Sequence, residues 1–235
     1  MSKDDSPILP WIVDVQNDFV RPDGRLYVKN PDDPSDPGAA AAMPAITTLV
    51  RRLQDQGGPM VFTADWHRYG DPEIDTENPD FLNTFPPHCM ALSDNPDEAT
   101  GADLPPELGV EFDREMSRDL RSRTEAYELG IATARKKGCT RVQKSQFSVF
   151  TGNSQISHFL DGITAGFGQK PGILIAGVAL DVCVRHAVEG FLERGFNVYV
   201  LREATWGLGI AEWDELEAAW NEMGGVSTSD PTRAP

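Results

Sequence analysis

Short, continuous apolar runs recur along this chain, and the stretches between them carry apolar residues at helical spacing. A run without alternating polar residues is typical of a strand that is buried on both faces, as in a parallel sheet. Strands that alternate with helices predict right-handed βαβ units and a doubly wound, layered α/β fold. The predicted strands cover residues 8–15, 60–63, 140–142, 172–178 and 197–201.

Helices are predicted around residues 46–53, 156–163, 184–194 and 213–223, and an added helical segment at about 110–138. That segment centres on one helix over 113–137, which is richer in basic residues than the rest of the chain. One interpretation is a solvated helix with i,i+4 ion pairs. The alternative is a helix that contacts another subunit or covers the active site. Residues 30–38 and 65–109 are Pro-rich and predict loops. No break in composition marks a linker, so we expect a single domain over 1–235.

Charge and cysteine content limit the partners and the compartment. The chain has 21 Lys and Arg against 37 Asp and Glu, a formal net charge of −16 at pH 7. That excess repels phosphate backbones and anionic lipids, so we expect no nucleic acid and no membrane as partners. Three cysteines do not suit a disulfide framework, and the first residues lack the features of a signal peptide. We therefore expect a cytoplasmic protein.

Reactive side chains follow four of the predicted strands. In strand order these are Asp14, then Asp65 and His67, then Lys144, then Cys183. Ligands of open parallel sheets bind outside the carboxyl ends of the strands, where these side chains should meet. The sequence therefore predicts one site that combines carboxylates, an imidazole, an ammonium group and a thiol.

Cys183 lies where an apolar strand ends and a helix begins, in the sequence GVALDVCVRHAVEGF. A helix N-terminus and a nearby ammonium such as Lys144 both lower the pKa of a thiol, which predicts a nucleophile. Asp14 would accept the thiol proton and return it to a leaving group. The alternatives are a buried structural cysteine, a turn or capping aspartate and a solvated lysine.

A candidate metal site consists of Asp65, His67 and His88. In extended backbone the side chains of Asp65 and His67 share one face, and the long loop would bring His88 back to them. One carboxylate and two imidazoles with open positions suit a divalent metal ion, Zn²⁺ first and Mn²⁺ or Fe²⁺ as alternatives. The alternative interpretation is that both histidines are ordinary polar loop residues.

Five motifs in order resemble those of the isochorismatase-like cysteine hydrolases, and within that superfamily those of the nicotinamidases. The resemblance covers most of the chain and implies a three-layer αβα fold with a central, mostly parallel sheet. The D-x-H and P-P-H-C elements point to the nicotinamidases, because isochorismatases themselves generally lack that metal site. The motifs are DVQNDF at 14–19, TADWH at 63–67, FPPHC at 85–89, KSQF at 144–147 and GVALDVCV at 177–184.

The resemblance implies a chemical role for each matching residue. Cys183 would be the nucleophile, Asp14 the general base and acid, and Lys144 the third member of the triad. A cis peptide bond between Val178 and Ala179 would turn the backbone N–H groups of Ala179 and Cys183 into an oxyanion hole.

Metal and substrate contacts also follow from the resemblance. It implies that the metal ligands are Asp65, His67 and His88, and the fourth ligand is open among Asp71, Glu73 and Asp75. The candidate walls for a flat aromatic ring are Phe19, Phe85 and Phe147, whose alternative role is core packing.

The predicted reaction is hydrolysis of nicotinamide to nicotinate and ammonia through a thioester on the cysteine, with a metal ion orienting the substrate. The alternative substrate is another small amide or carbamoyl compound, of the maleamate, ureidoacrylate, biuret or N-carbamoylsarcosine type. An arginine that binds a substrate carboxylate would favour that alternative, and the candidates are Arg21, Arg68 and Arg185. A non-catalytic protein is disfavoured because nucleophile, base and lysine are all retained. We expect a homo-oligomer.

Overall fold

One sheet of seven parallel strands forms the centre of the computed structural model, which describes residues 6–232. The strands are β1 Ile8–Val13, β2 Pro59–Asp65, β3 Phe112–Met116, β4 Gly138–Lys144, β5 Gly172–Val178, β6 Val198–Trp206 and β7 Val226–Ser227. Their order across the sheet is β3-β4-β2-β1-β5-β6-β7, with every pair parallel. The direction of winding reverses between β1 and β5, and the crevice at such a switch point is where open α/β sheets bind ligands.

Helices cover both faces of the sheet. The side chains of β1 show this, because Leu9 and Trp11 pack into the core beneath one helical layer and Ile12 packs into the core beneath the other. The predicted three-layer αβα fold is therefore confirmed. The helices are α1 Asn17–Val20, α2 Met43–Gln56, α3 Pro96–Ala99, α4 Arg123–Arg135, α5 Val149–Gly152, α6 Ile156–Phe167, α7 Arg185–Glu193 and α8 Trp213–Glu222.

The segment 113–137 is not the single helix that was predicted. Its first residues belong to the edge strand β3, which pairs with β4, and only the second half forms the helix α4. Phe112, Arg114 and Met116 are more buried than the Asp113 and Glu115 between them. That alternation is the pattern of a strand, and the three charged residues in it suit the edge of a sheet.

Membrane insertion was not expected from the sequence. Within residues 6–232, no helix combines the length and the apolar character that a bilayer crossing requires.

Gly177 lets β5 approach β1 closely where both strands enter the crevice. Its φ is +125°, and a Cβ at this position would lie 2.0 Å from the carbonyl oxygen of Val13. Because only glycine tolerates that backbone and that contact, we expect Gly177→Ala to lower the free energy of unfolding by about 3 kcal/mol or more. Urea unfolding followed by circular dichroism measures this change.

Gly168→Ala is the matched control for that variant. Gly168 also has a positive φ, +78°, but nothing lies within 4 Å of the point that a Cβ would occupy there. The control should therefore cost only about 1 kcal/mol, which is the effect of the backbone conformation alone. If both variants lost the same free energy of unfolding, the close approach of β1 and β5 would not contribute to the cost of Gly177→Ala.

Candidate active site

Four buried side chains meet at the carboxyl ends of the central strands. Asp14 follows β1 directly, Asp65 is the last residue of β2, and Lys144 is the last residue of β4. β5 leads into the π-helical turn Leu180–Val184, which holds Cys183 at the start of α7. The structure thus brings together the carboxylates, the ammonium group and the thiol that the sequence placed at separate strand ends.

Lys144 links the members of this cluster. Its Nζ lies 2.9 Å from Oδ2 of Asp14 and 3.8 Å from Sγ of Cys183, and it forms an ion pair with Oδ1 of Asp65. The hydroxyl of Thr63 donates to Oδ1 of Asp14 at 2.7 Å. Sγ of Cys183 lies within 4.8 Å of a carboxylate oxygen of both Asp14 and Asp65. Asp14 therefore faces both the thiol and the ammonium group.

Burial sets the protonation state of this cluster. It raises the pKa of the Cys183 thiol, Lys144 opposes the shift, and the carboxylates of Asp14 and Asp65 reinforce it. The predicted low pKa of this thiol is therefore wrong, because Lys144 does not outweigh burial and the two carboxylates. Burial also raises the pKa of Asp14, which makes its carboxylate a stronger proton acceptor than a solvated one. Such a thiol reacts as its proton moves to the neighbouring carboxylate.

The turn after β5 contains both residues that were predicted to form an oxyanion hole. The peptide bond between Val178 and Ala179 is cis, as predicted. The N–H groups of Val182 and Val184 donate to the carbonyl of Ala179 at 3.1 and 3.0 Å, which winds the chain around Cys183. Ala179 and Cys183 both line the same pocket.

Asp65, His67 and His88 form a second cluster that adjoins the first. Oδ2 of Asp65 lies 3.8 Å from Nε2 of each histidine. Nδ1 of His88 lies 2.8 Å from the carbonyl oxygen of Pro86, so it donates there and leaves the Nε2 lone pair free. Nε2 of His67 is buried without a hydrogen-bond partner among residues 6–232. Since buried polar atoms are normally paired, these donors fit a divalent metal ion.

Three acidic residues of the following loop were candidates for a further ligand. Asp75 is half-buried and accepts the N–H groups of Glu77 and Asn78 in a turn, and Asp71 is bound by His67 and Arg118. Glu73 is buried, its Oε1 accepts the N–H of Phe147, and its Oε2 has no hydrogen-bond partner within the part of the chain described. Burial raises the pKa of Glu73 to about 7. Of the three, Glu73 therefore retains an uncommitted oxygen near the cluster.

A pocket of about 410 Å³, including its open mouth, leads to both clusters. The three predicted aromatic residues line it, and the rings of Phe85 and Phe147 meet edge to face with centroids 5.5 Å apart. The aliphatic part of the wall was not predicted, because most of it comes from loops without periodicity. Only Val182 could have been inferred from the sequence, because it directly precedes Cys183. This part consists of Leu26, Val28, Val182 and Leu208.

The three candidate arginines do not reach this pocket. Arg21 pairs with Glu107, Arg68 with Asp119 and Arg185 with Glu189. Among the described residues, no arginine lines the pocket, whose lining is mainly apolar apart from Asp65 and His88. The mainly apolar lining favours the burial of apolar surface over that of an unpaired charge.

Comparison with known proteins gives a family and several related folds. A model of the isochorismatase domain matches residues 11–230. The chain is similar to the pyrazinamidase of Pyrococcus horikoshii in complex with zinc, at 24% identity and a TM-score of 0.58 over 94% of this chain and 97% of that one. The chain is also similar to the nicotinamidase/pyrazinamidase of Bacillus subtilis, at 19% identity and a TM-score of 0.59 over 95% of this chain and 100% of that one.

The N-carbamoylsarcosine amidase of Thermoplasma acidophilum is similar to the same degree, with 20% identity and a TM-score of 0.60 over 97% of this chain and 98% of that one. At these identities the likeness to solved structures establishes the fold. A search of curated proteins found no match.

Proposed function

Because the chain belongs to the isochorismatase domain family of hydrolases, we propose that it hydrolyses nicotinamide to nicotinate and ammonia through a thioester on Cys183. The observation that carries this proposal is the placement of a buried thiol 3.8 Å from Lys144 Nζ, beside Asp14, in an aromatic-walled pocket. A thiol, a carboxylate and an ammonium group in contact are the components of nucleophilic amide cleavage.

Asp14 moves the protons in the proposed reaction. It takes the proton of Cys183 as Sγ attacks the amide carbon, and the N–H groups of Ala179 and Cys183 stabilise the oxyanion. Asp14 then protonates the amine as the C–N bond breaks, which releases ammonia and leaves a thioester. A water molecule that Asp14 deprotonates attacks the thioester, and the proton returns to Sγ as the acid leaves.

Lys144 supports these transfers through charge. Its ammonium group contacts both Asp14 and Asp65, so the cluster holds one cation against two carboxylates. Burial lowers the pKa of Lys144, but the two carboxylates outweigh it and hold the pKa well above the usual value. The lysine is therefore a fixed positive charge that orients Asp14 towards the thiol.

Asp65, His67 and His88 would hold a divalent metal ion beside the nucleophile. Their donor set of one carboxylate and two imidazoles suits Zn²⁺, with Mn²⁺ or Fe²⁺ as alternatives. When bound, the ion supplies a Lewis-acid site for a ring nitrogen, which orients the substrate. His88 also lies within 5.5 Å, centroid to centroid, of Phe19, so the cluster adjoins the aromatic wall.

The substrate class is tested by ammonia release from nicotinamide, pyrazinamide, maleamate and N-carbamoylsarcosine. We expect kcat/KM for the two aromatic amides to exceed that for the two carboxylates by about 100-fold or more, because no arginine of residues 6–232 lines the pocket to pair a buried carboxylate. Preferred turnover of maleamate or N-carbamoylsarcosine would contradict the assignment of substrate.

The metal role is tested in the same assay by His88→Ala and by chelation. Both should raise KM for nicotinamide, because the ion would position the ring. Unchanged turnover in both cases would exclude a metal role and leave the thiol chemistry in place.

A further inference from the structure

Arg118 is a buried arginine outside the residues of the proposed reaction. It lies in the connection between β3 and α4, and its side chain is only 8% exposed. Its guanidinium binds Asp71 with two hydrogen bonds, Nη1 to Oδ2 at 2.5 Å and Nη2 to Oδ1 at 2.7 Å. Nη1 also donates to the carbonyl oxygen of Trp66 at 2.5 Å. This planar, two-bond geometry is specific to arginine.

Both partners of Arg118 belong to the segment that carries the proposed metal ligands. Trp66 lies between Asp65 and His67 in sequence, and Oδ2 of Asp71 is 3.3 Å from Nδ1 of His67. One guanidinium therefore contacts the backbone between two ligands and the carboxylate that contacts one of them.

This arrangement fixes the state of His67. A carboxylate in a two-bond pair with arginine is ionised and only accepts hydrogen bonds, so the proton of the neutral imidazole is on Nδ1. In that tautomer Nε2, which has no hydrogen-bond partner among residues 6–232, would present its lone pair on the side of Asp65, 3.8 Å from Oδ2. Carboxylates that hold the second nitrogen of a metal-binding histidine in this way strengthen metal affinity.

We propose that Arg118 is a positioning residue for metal binding: by holding Asp71 and the Trp66 carbonyl, it presents Nε2 of His67 to a divalent cation. The inference rests on the proposed metal role of Asp65, His67 and His88. It assigns part of the segment 113–137 to the site, through the loop between β3 and α4.

Zn²⁺ affinity of the full-length protein, measured by competition with a chromophoric chelator, tests this inference without an activity assay. We expect Arg118→Met and Asp71→Asn each to weaken Zn²⁺ binding by about 10- to 100-fold. Arg118→Lys should fall between them and the wild type, because lysine restores the charge without the two-bond geometry.

Asp119→Asn is the matched control. Asp119 is adjacent to Arg118 and pairs with Arg68 at 2.6 Å, so it ties the same two loops together, but both side chains are about half exposed. Its loss should leave the Zn²⁺ affinity unchanged. If it weakens binding as much as Arg118→Met does, the ion pairs act only by holding the loops, and the inference fails.

Long-range ¹H–¹⁵N spectra of the histidine side chains give a readout that a purely structural role would not move. His67 of the Zn²⁺-bound wild type should carry its proton on Nδ1, and Arg118→Lys and Asp71→Asn should weaken this preference. Circular dichroism identifies any variant that fails to fold. If Arg118→Met does not fold, Arg118→Lys and Asp71→Asn still provide the test.

His88→Ala separates this inference from the proposed function. If the wild type binds Zn²⁺, His88→Ala abolishes binding, and Arg118→Met and Asp71→Asn bind as the wild type does, the metal site stands and the role of Arg118 is overturned. If the wild type binds no Zn²⁺, or His88→Ala binds it equally well, the metal role and this inference both fail.

Discussion

Replacing Cys183 with alanine should lower kcat for amide hydrolysis by on the order of 10⁶-fold, the cost of removing the nucleophile from a serine hydrolase. In the proposed reaction Sγ forms the bond to the substrate carbon, and of the three cysteines only Cys183 lines the pocket. Ammonia release at high enzyme concentration measures the residual turnover. Mass spectrometry of the wild type, quenched during turnover, should show the acyl group on Cys183.

Cys139→Ala is the control for that variant. Cys139 is also buried, but it lies at the opposite end of β4 from Lys144. Its replacement should cost stability through lost packing and leave kcat unchanged. Wild-type turnover by Cys183→Ala would contradict the proposed nucleophile, whereas equal losses in both variants would indicate general damage to the fold.

The buried strands are the part of the fold that the sequence predicted most closely. The run 172–178 coincides with β5, because all seven of its residues are buried and no polar residue interrupts the run. The run 8–15 overshoots β1 by two residues. Asp14 turns the chain there with a φ of +50°, although the apolar sequence continues with Val15, which is also buried. Composition alone does not reveal such a turn.

Edge and loop residues were predicted least well. β3 has three charged residues in five, since it is half exposed at the edge of the sheet, and its Met116 also fits a helical period with the residues that follow. Leu26 and Leu208 line the pocket from loops. Arg118, in the connection after β3, pairs with Asp71 in the loop after β2. These contacts depend on how distant segments fold back, which local patterns do not encode.

The order of chemical groups along the strands was sufficient to place the site, but not to set its electrostatics. Topology alone brings Lys144, Asp65, Asp14 and Cys183 to the carboxyl ends of four consecutive strands of the sheet, β4, β2, β1 and β5. The protonation state of the thiol depends instead on how completely the fold buries it, and burial outweighs the nearby ammonium group. The predicted direction of its pKa shift was wrong for that reason.

Asp14→Asn should lower kcat by on the order of 10⁶-fold, the loss found when the general base of a hydrolase triad is removed, and should also lower the pKa of the Cys183 thiol. The carboxylate raises that pKa through its charge and its hydrogen bond. Its removal leaves the positive charge of Lys144, which Asp65 still holds in place, to stabilise the thiolate. Thiolate absorbance at 240 nm, titrated against pH with Cys183→Ala subtracted, measures the shift.

Lys144→Met should move the same thiol in the opposite direction while it also reduces kcat. The ammonium group lowers the pKa of Cys183, so its loss leaves burial and two carboxylates to raise the pKa further. Activity alone does not distinguish the two variants, but the sign of the pKa shift does. A shift of the same sign in both variants would contradict this electrostatic model. If Asp14→Asn left the pKa unchanged, Asp14 would not be in contact with the thiol proton and would not be the base.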